Sequence, residues 1–185
     1  MFFNNRLFLV GYMGVGKTTL GRALAKINDL EFIDLDHYIE ARYQKTIGQI
    51  FEEIGESKFR EIESNILKEI SDFENVVIST GGGTPCFFSN MDYMNNKGIT
   101  VYLRSTSEAL AIRLYKGKDK RPLLKDKNET ELLTYIEQNI ILREPVYNRA
   151  HIIFETKDYK NKEEAESHIP ELVDAIEKYI QTNRQ

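Results

Sequence analysis

Short runs of apolar residues recur along the chain, and segments with helical periodicity separate them. The five runs cover Leu7–Val10, Glu31–Asp34, Val76–Ser79, Thr100–Leu103 and Ile152–Phe154. Short apolar strands that alternate with helices are typical of a parallel sheet covered by helices on both faces. The pattern therefore predicts an α/β fold with three layers, αβα, around a five-stranded parallel sheet.

The segment between the second and third predicted strands contains three helical patterns instead of one. They cover Asp36–Tyr43, Thr46–Ile54 and about 56–71, and Gly55 separates the last two. This insertion is longer than a crossover connection requires. Because ligands of open α/β folds bind beyond the carboxyl ends of the strands, we expect the insertion to build a substrate site.

Three further helices are predicted in the second half of the chain. One opens at Ser105, one runs from Glu129 to Arg143, and the last has Pro170 in its first turn. Between the first two lies Lys116–Lys127, a segment with six basic and two acidic residues. A solvated charge run is the ordinary interpretation of such a segment. The alternative is a mobile lid that brings Arg121 over a bound triphosphate and excludes water.

The composition sets limits on size and function. The chain has 185 residues, of which 41% are hydrophobic and 29% charged, and this is enough for one compact domain. Its formal charge of −4 argues against general nucleic-acid binding, which needs a basic surface. We find no secretory signal or membrane-spanning run, and the single Cys86 cannot form an internal disulfide. We therefore expect a cytoplasmic protein.

A glycine-rich motif follows the first predicted strand. Gly11–Thr18 has the order of a phosphate-binding loop: a glycine, four residues, then glycine, lysine and threonine. The glycines let backbone N–H groups turn inward around a polyphosphate, and the following helix directs its positive dipole end there. Lys17 adds a positive charge, and Thr18 offers a hydroxyl ligand for Mg²⁺. The alternative is a plain strand-to-helix turn.

Two carboxylates follow the second predicted strand. Asp34 and Asp36 flank Leu35, and alternation along a strand predicts that both point the same way. One could hold a magnesium ion, directly or through water, and the other could orient a substrate hydroxyl toward the γ-phosphate. A strand-end turn without function is the alternative.

Three arginine- or glycine-containing patterns complete the candidate site. Arg60 and Glu63 are three residues apart and share one helical face. An arginine that is fixed in this way is suited to bind a carboxylate ligand. The alternative is a surface ion pair without function. Gly81–Gly83 follows the third strand, where something must approach the backbone closely unless it is a flexible turn. Arg143 is a second candidate anion ligand.

Taken together, these motifs resemble the shikimate kinases. The residues that carry the resemblance are Gly11-Tyr12-Met13-Gly14-Val15-Gly16-Lys17-Thr18-Thr19, Asp34-Leu35-Asp36, Gly55-Glu56 with Phe59-Arg60 and Glu63, Gly81-Gly82-Gly83, Arg121-Pro122-Leu123-Leu124, and Arg143 with Tyr147. Each motif occurs in other folds, whereas the ordered set is specific. The resemblance implies ATP-dependent phosphorylation of the 3-hydroxyl of shikimate, with Mg²⁺, in the synthesis of chorismate and the aromatic amino acids.

The resemblance also implies an architecture. We expect a P-loop fold of the nucleoside-monophosphate-kinase type with strand order 2-3-1-4-5, formed by residues 1–185 as a single domain. The substrate-binding helical region should lie at about 34–62 and the lid at about 114–127. We expect a monomer whose partners are ATP and shikimate, with neither nucleic acid nor membrane.

Site roles follow from the resemblance, position by position. The ATP ligands implied are Gly14, Val15, Gly16, Lys17, Thr18, Thr19, Arg113 and Arg121. Those for shikimate are Asp36, Arg60, Gly81, Gly82, Gly83 and Arg143, with the two arginines on the carboxylate and Asp36 on the ring hydroxyls. The catalytic residues implied are Lys17, Asp36 and Arg121, and the metal ligands are Thr18 and, through water, Asp34. An adenine loop should lie near Thr156–Tyr159.

Two other functions are compatible with the phosphate-binding loop alone. A gluconate kinase would keep the phosphate-binding loop but gives no reason for Arg60 with the triple glycine. A nucleotide-dependent switch or binding module would bind nucleotide without turnover. A GTPase switch should carry an Asn-Lys-x-Asp guanine motif, and the sequence contains none.

Overall fold

The protein forms one parallel sheet of five strands flanked by helices. A computed structural model describes residues 6–117, 124, 126–159 and 161–183. The strands are β1 (Leu7–Val10), β2 (Glu31–Asp34), β3 (Val76–Ser79), β4 (Ile99–Arg104) and β5 (Ile152–Glu155). All neighbouring strands are parallel, and their order is β2-β3-β1-β4-β5. The predicted strands and their order are confirmed, with β4 and β5 one or two residues longer than expected.

The described part of the chain has eight α-helices. They are α1 (Lys17–Asn28), α2 (Leu35–Tyr43), α3 (Ile47–Ile70), α4 (Asn90–Lys97), α5 (Ser107–Tyr115), α6 (Glu129–Tyr147), α7 (Lys162–Glu166) and α8 (Ile169–Asn183). The sequence pattern missed α4 and α7, which are short and mostly polar. It ended α6 too early, because the helix continues through Pro145. Pro145 leaves the carbonyl of Ile141 without its helical donor, on an exposed turn.

The two faces of the sheet build two hydrophobic clusters, and β1 contributes to both. Leu7 and Leu9 lie in a cluster with side chains of α1, α5, α6 and α8. Phe8 and Val10 lie in a second cluster with side chains of α2, α3 and α4. All four side chains of β1 are 0% exposed, and each contributes about 1.5–3 kcal/mol by burial. The helices on both faces confirm the three-layer prediction.

The predicted break at Gly55 is present inside α3. Gly55 has φ 76° and ψ 168°, so the helix consists of two segments that meet at a kink. Thr46 caps the first segment, and its hydroxyl accepts a hydrogen bond from the N–H of Gln49. The second segment carries Phe59, Arg60 and Glu63 to the carboxyl edge of the sheet. The insertion after β2 therefore reaches the site as expected.

One local prediction about the two carboxylates was wrong. We expected alternation along a strand to align Asp34 and Asp36, but α2 begins at Leu35 and Asp36 lies in its first turn. Asp34 is the N-cap, and its carboxylate accepts the N–H of His37 at 3.4 Å. The two carboxylates are therefore placed by a helix cap and not by strand periodicity.

The predicted lid falls largely outside the described residues. Arg121, Pro122 and Leu123 are among those not described. Leu124 is described, and it is fully buried in the cluster of α1, α5, α6 and α8. At least this residue of the segment therefore lies in the core, whereas we had expected a loop outside it. Within the described ranges, every helix is too short or too polar to cross a membrane.

Candidate functional site

The phosphate-binding loop lies between the carboxyl end of β1 and the start of α1. Gly16 is the N-cap of α1 and has φ 101°, in the left-handed region that glycine tolerates best. Val15 is fully buried, whereas Thr19 in the first turn of α1 is partly exposed. Gly14 is packed by α5, because a Cβ atom there would lie 2.9 Å from the side chain of Leu114. The loop is thus packed against α5 and ends in a glycine at the N-terminus of α1.

Lys17 is folded back onto this loop. Its Nζ donates to the carbonyl oxygens of Gly11 at 2.8 Å and Tyr12 at 3.1 Å. The residue is 8% exposed, and burial lowers the pKa of its ammonium to about 8, against the opposing effects of Asp36 and Asp34. Lys17 is therefore still protonated at neutral pH, and it presents a desolvated positive charge inside the loop.

Thr18 and Asp34 form a pair of oxygen donors beside Lys17. The Thr18 hydroxyl donates to Oδ2 of Asp34 at 2.7 Å. Hydroxyl, carboxylate, phosphate and water oxygens are the ligands that Mg²⁺ prefers. The donor set therefore fits a magnesium ion shared with a bound polyphosphate.

Asp36 lies among other charged groups in a partly buried position. Burial, followed by the nearby carboxylates of Glu63 and Asp34, raises the pKa of Asp36 to about 6, while Lys17 opposes this shift. Because the ordinary pKa is 3.8, this carboxyl group holds a proton much more readily than an exposed aspartate. Such a group is suited to exchange a proton near neutral pH.

Arg60 is held by carboxylates and aromatic rings. Its Nη1 lies 2.7 Å from Oε2 of Glu63, which is 1% exposed, and its Nη2 lies 3.1 Å from Oε1 of Glu56. The guanidinium carbon also lies 4.5 Å from the ring centre of Phe87. With the Arg60 side chain only 11% exposed, the surface ion-pair alternative is wrong. The guanidinium is ordered before any ligand arrives.

The triple glycine is closely surrounded by side chains and backbone of other elements. A Cβ atom on Gly81 would lie 2.8 Å from Oε1 of Glu63 and 3.0 Å from Oδ1 of Asp36. One on Gly83 would lie 2.6 Å from Nη2 of Arg60, and one on Gly82 would lie 3.3 Å from the N atom of Met13. The expectation of a close approach to this backbone is confirmed, and the approaching groups are site residues.

Arg143 completes the same pocket from α6. Its guanidinium carbon lies 5.5 Å from the ring centre of Tyr12, and a Cβ atom on Gly82 would lie 3.7 Å from its Nη1. Tyr147, one turn later and fully buried, donates its hydroxyl to the carbonyl of Gly82 at 2.5 Å. Arg60 and Arg143 therefore approach the glycine segment from different elements, with Asp36 nearby.

Arg113 lies apart from this pocket, beside the segment after β5. Its Nη2 donates to the carbonyl of Lys157 at 3.1 Å and lies 3.6 Å from the carboxylate of Asp158. Its guanidinium carbon is 4.0 Å from the ring centre of Tyr159. Its buried Nη1 has no hydrogen-bond partner among the described residues. The structure thus brings Arg113 together with the segment expected to contact adenine.

Several residues of the site were not assigned a role from the sequence. Glu63 is buried beside Thr84, which lies 21 residues later in the chain. The Thr84 hydroxyl donates a hydrogen bond to the Glu63 carboxylate at 2.5 Å. Tyr147 and Tyr159 contact loops that are far from them along the chain. Local patterns give no indication of such contacts, although the Tyr147 motif itself was recognisable.

Comparisons with known proteins agree on one family. A family model described as shikimate kinase matches residues 13–175. A shikimate kinase of Parabacteroides distasonis is 50% identical over 175 residues, which cover 95% of this chain and 99% of that protein.

Solved structures give the same result. The crystal structure of a shikimate kinase from Bacteroides thetaiotaomicron has a TM-score of 0.89 and 47% identity, covering 94% of this chain and 98% of that one. A shikimate kinase from Acinetobacter baumannii, solved in complex with shikimate, has a TM-score of 0.83 and 34% identity, covering 98% of this chain and 96% of that one.

Proposed function

The chain belongs to the shikimate kinase family, and from that premise we infer that it phosphorylates shikimate in the pathway to the aromatic amino acids. The reaction transfers the γ-phosphoryl group of ATP to the 3-hydroxyl and yields shikimate 3-phosphate and ADP. We reject the gluconate kinase and switch interpretations, because the sequence identity with a shikimate kinase extends over nearly the whole chain. The observation that carries the assignment of the site is the meeting of Arg60, Arg143 and Asp36 around the glycine segment beside the phosphate-binding loop.

We propose that the loop and the start of α1 bind the phosphates of ATP. Backbone N–H groups of residues 14–19 and the Lys17 ammonium neutralise the phosphate charge. Thr18 and Asp34 would hold a magnesium ion, which would supply further charge neutralisation at the phosphates. The hydrogen bond between Thr18 and Asp34 supports this assignment, since it keeps both oxygens at the loop.

We propose that shikimate lies over Gly81–Gly83. Its carboxylate pairs with Arg60 and Arg143, which can each donate two hydrogen bonds. Its ring hydroxyls lie toward Asp36, on the side of Lys17. Since Glu63 and Glu56 already orient Arg60, little side-chain entropy remains to be lost when the anion binds.

In the mechanism that we propose, Asp36 orients the 3-hydroxyl and accepts its proton as the oxygen attacks the γ-phosphate. A carboxylate whose pKa is raised to about 6 is a better proton acceptor than an ordinary aspartate and is still ionised at pH 7. Lys17 stabilises the charge on the transferred phosphoryl group. Phosphoryl transfer depends mainly on such positioning and charge neutralisation.

The roles of two further arginines stay predictions. Arg113 is proposed to lie against adenine, supported by its position beside residues 157–159. Arg121, outside the described residues, is proposed to close onto ATP from the lid.

A direct assay tests the proposed function. The purified protein with ATP, MgCl₂ and shikimate should release ADP and form phosphorylated shikimate, measured by a coupled assay and mass spectrometry. Gluconate and other hydroxylated acids serve as controls. ADP release that does not rise above the rate without shikimate would reject the assignment.

Arg60→Ala should raise the KM for shikimate by about 10- to 100-fold, because a charge-assisted contact to the substrate carboxylate is lost. The KM for ATP should change by less than about threefold. Arg42→Ala is the matched control, since Arg42 also pairs with a glutamate, Glu69, but lies exposed on α2. Equal changes in both KM values for Arg60→Ala would contradict the proposed substrate site.

The pH dependence of kcat/KM should show the protonation of the Asp36 carboxylate. Because its pKa in the folded protein is raised to about 6, we expect kcat/KM for shikimate to fall as the pH drops below about 6, where the carboxylate becomes protonated. The measurement is a pH profile from pH 4.5 to 8 at saturating ATP. A value of kcat/KM that is still unchanged at pH 4.5, the lower end of this range, would show that Asp36 is not the group that accepts the proton.

We also propose a cytoplasmic monomer. The large exposed apolar side chains include Ile27 on α1, Ile112 on α5 and the neighbours Ile141 and Leu142 on α6, so they come from several elements instead of one. This distribution supports a monomer. Light scattering on the purified protein tests this, and a dimer mass would reject it.

A further inference from the structure

Tyr159 connects the segment after β5 to the phosphate-binding loop. Its hydroxyl donates a hydrogen bond to the main-chain carbonyl of Val15, 144 residues earlier in the chain. Burial raises the pKa of Tyr159 above its ordinary value, so the hydroxyl keeps its proton at neutral pH and acts as the donor. The loop is therefore held from outside by a side chain that its own motif does not contain.

This contact fixes the orientation of one peptide group. A trans peptide is planar, so its C=O and N–H point in opposite directions. The Val15–Gly16 peptide is trans, and its carbonyl points at Tyr159; the N–H of Gly16 therefore points away from Tyr159. We propose that Tyr159 is a positioning residue of the nucleotide site, which keeps the Gly16 N–H directed toward the phosphates of ATP.

The surroundings of Gly16 agree with this role. A Cβ atom on Gly16 would lie 1.8 Å from the Tyr159 hydroxyl oxygen, so the two residues are in direct contact. With φ 101°, Gly16 has a conformation that is easily lost, since glycine adopts many others at similar energy. A hydrogen bond to the preceding carbonyl stabilises this peptide orientation against the alternatives.

The same side chain also supports Arg113. The Tyr159 ring lies against the Arg113 guanidinium, and the neighbouring Lys157 and Asp158 contact the same arginine. Tyr159 thus joins the two parts of the site proposed for ATP, the phosphate-binding loop and the arginine expected at adenine. The inference rests on the proposed function, because it requires that this loop bind a nucleotide.

The test measures binding of two probes to Tyr159→Phe by calorimetry. Tyr159→Phe removes only the hydroxyl and keeps the ring on Arg113. The probes are ADP and inorganic tripolyphosphate, both with MgCl₂; tripolyphosphate has no base and therefore reports the phosphate site alone. Tyr93→Phe is the matched control, because the Tyr93 hydroxyl also donates to a main-chain carbonyl, that of Lys68, on α3.

We expect Tyr159→Phe to weaken the binding of both probes by about 3- to 10-fold, the effect of one hydrogen bond. The KM for ATP should rise by a similar factor, while kcat and the KM for shikimate stay within about twofold. Tyr93→Phe should change none of these values. A melting curve establishes that each variant is folded.

Three results would overturn the inference. Unchanged binding of both probes would show that the Tyr159 hydroxyl does not position the loop for nucleotide binding. Weaker binding of ADP with unchanged tripolyphosphate would place Tyr159 at the base instead of the phosphates. Tighter binding of ADP would mean that the tyrosine obstructs the nucleotide. A wild-type protein that binds neither probe would instead reject the proposed function, and this inference with it.

Discussion

Asp36→Asn is expected to lower kcat by about two to four orders of magnitude, the usual contribution of a positioned proton acceptor. Asparagine has nearly the same shape and can still accept a hydrogen bond from the substrate hydroxyl, but it cannot take up its proton. Steady-state ADP release at saturating ATP and shikimate measures the effect. A loss smaller than tenfold would mean that Asp36 only orients the hydroxyl.

The same variant should be at least as stable as the wild type without ligands. The pKa of Asp36 is about 6 in the folded protein and near 3.8 when the chain is unfolded. Its ionisation therefore destabilises the fold as the pH rises from about 4 to 6, and this cost is fully present at pH 7. Thermal melting at pH 7 measures it, with the exposed Asp72→Asn as control. A lower melting temperature for Asp36→Asn would contradict the unfavourable environment of the carboxylate.

Lys17→Met is expected to lower kcat by about two to three orders of magnitude. Methionine fills much of the same space, but it cannot stabilise negative charge on the phosphoryl group in the transition state. Rapid-quench measurement of a single turnover would show whether the chemical step itself is slowed. Because burial holds the pKa of Lys17 at about 8, the lysine is charged at the assay pH of 7.

Lys97→Met is the matched control, since Lys97 is a partly exposed lysine on α4 that pairs with Asp72. It should leave kcat unchanged. If Lys17→Met raised the KM for ATP and left kcat intact, Lys17 would contribute to ground-state binding only.

The framework of the fold was predictable because it depends on local patterns. The apolar run of β1, the glycines of the following loop and the break at Gly55 each express a short-range requirement of the backbone or the core. The strand order was correct as well, although it came from the resemblance to a family and not from periodicity. Helix α4, with few apolar residues, lacked the pattern needed to predict it.

The candidate site was predictable only in part. Residue types identified Lys17, Arg60 and Arg143, but not the burial of Glu63 or the contact of Tyr159 with Val15, which arise from the tertiary structure. Asp36 does lie at the site, but the helix that Asp34 caps places it there, and not the strand alternation that we expected.

The enclosure of Gly81–Gly83 restricts how the sequence can change over evolution. Gly81, Gly82 and Gly83 do not have the positive φ that favours glycine. At Gly81 and Gly83 the neighbouring side chains leave no room for a Cβ atom. A methyl group at Gly81 would displace Glu63 or Asp36, and one at Gly83 would displace Arg60. An alanine at Gly81 or Gly83 therefore requires charged side chains of the site to move, whereas a Cβ atom on Gly82 would meet its nearest neighbour at 3.3 Å. We expect lineages to retain Gly81 and Gly83 through large divergence of the surrounding surface.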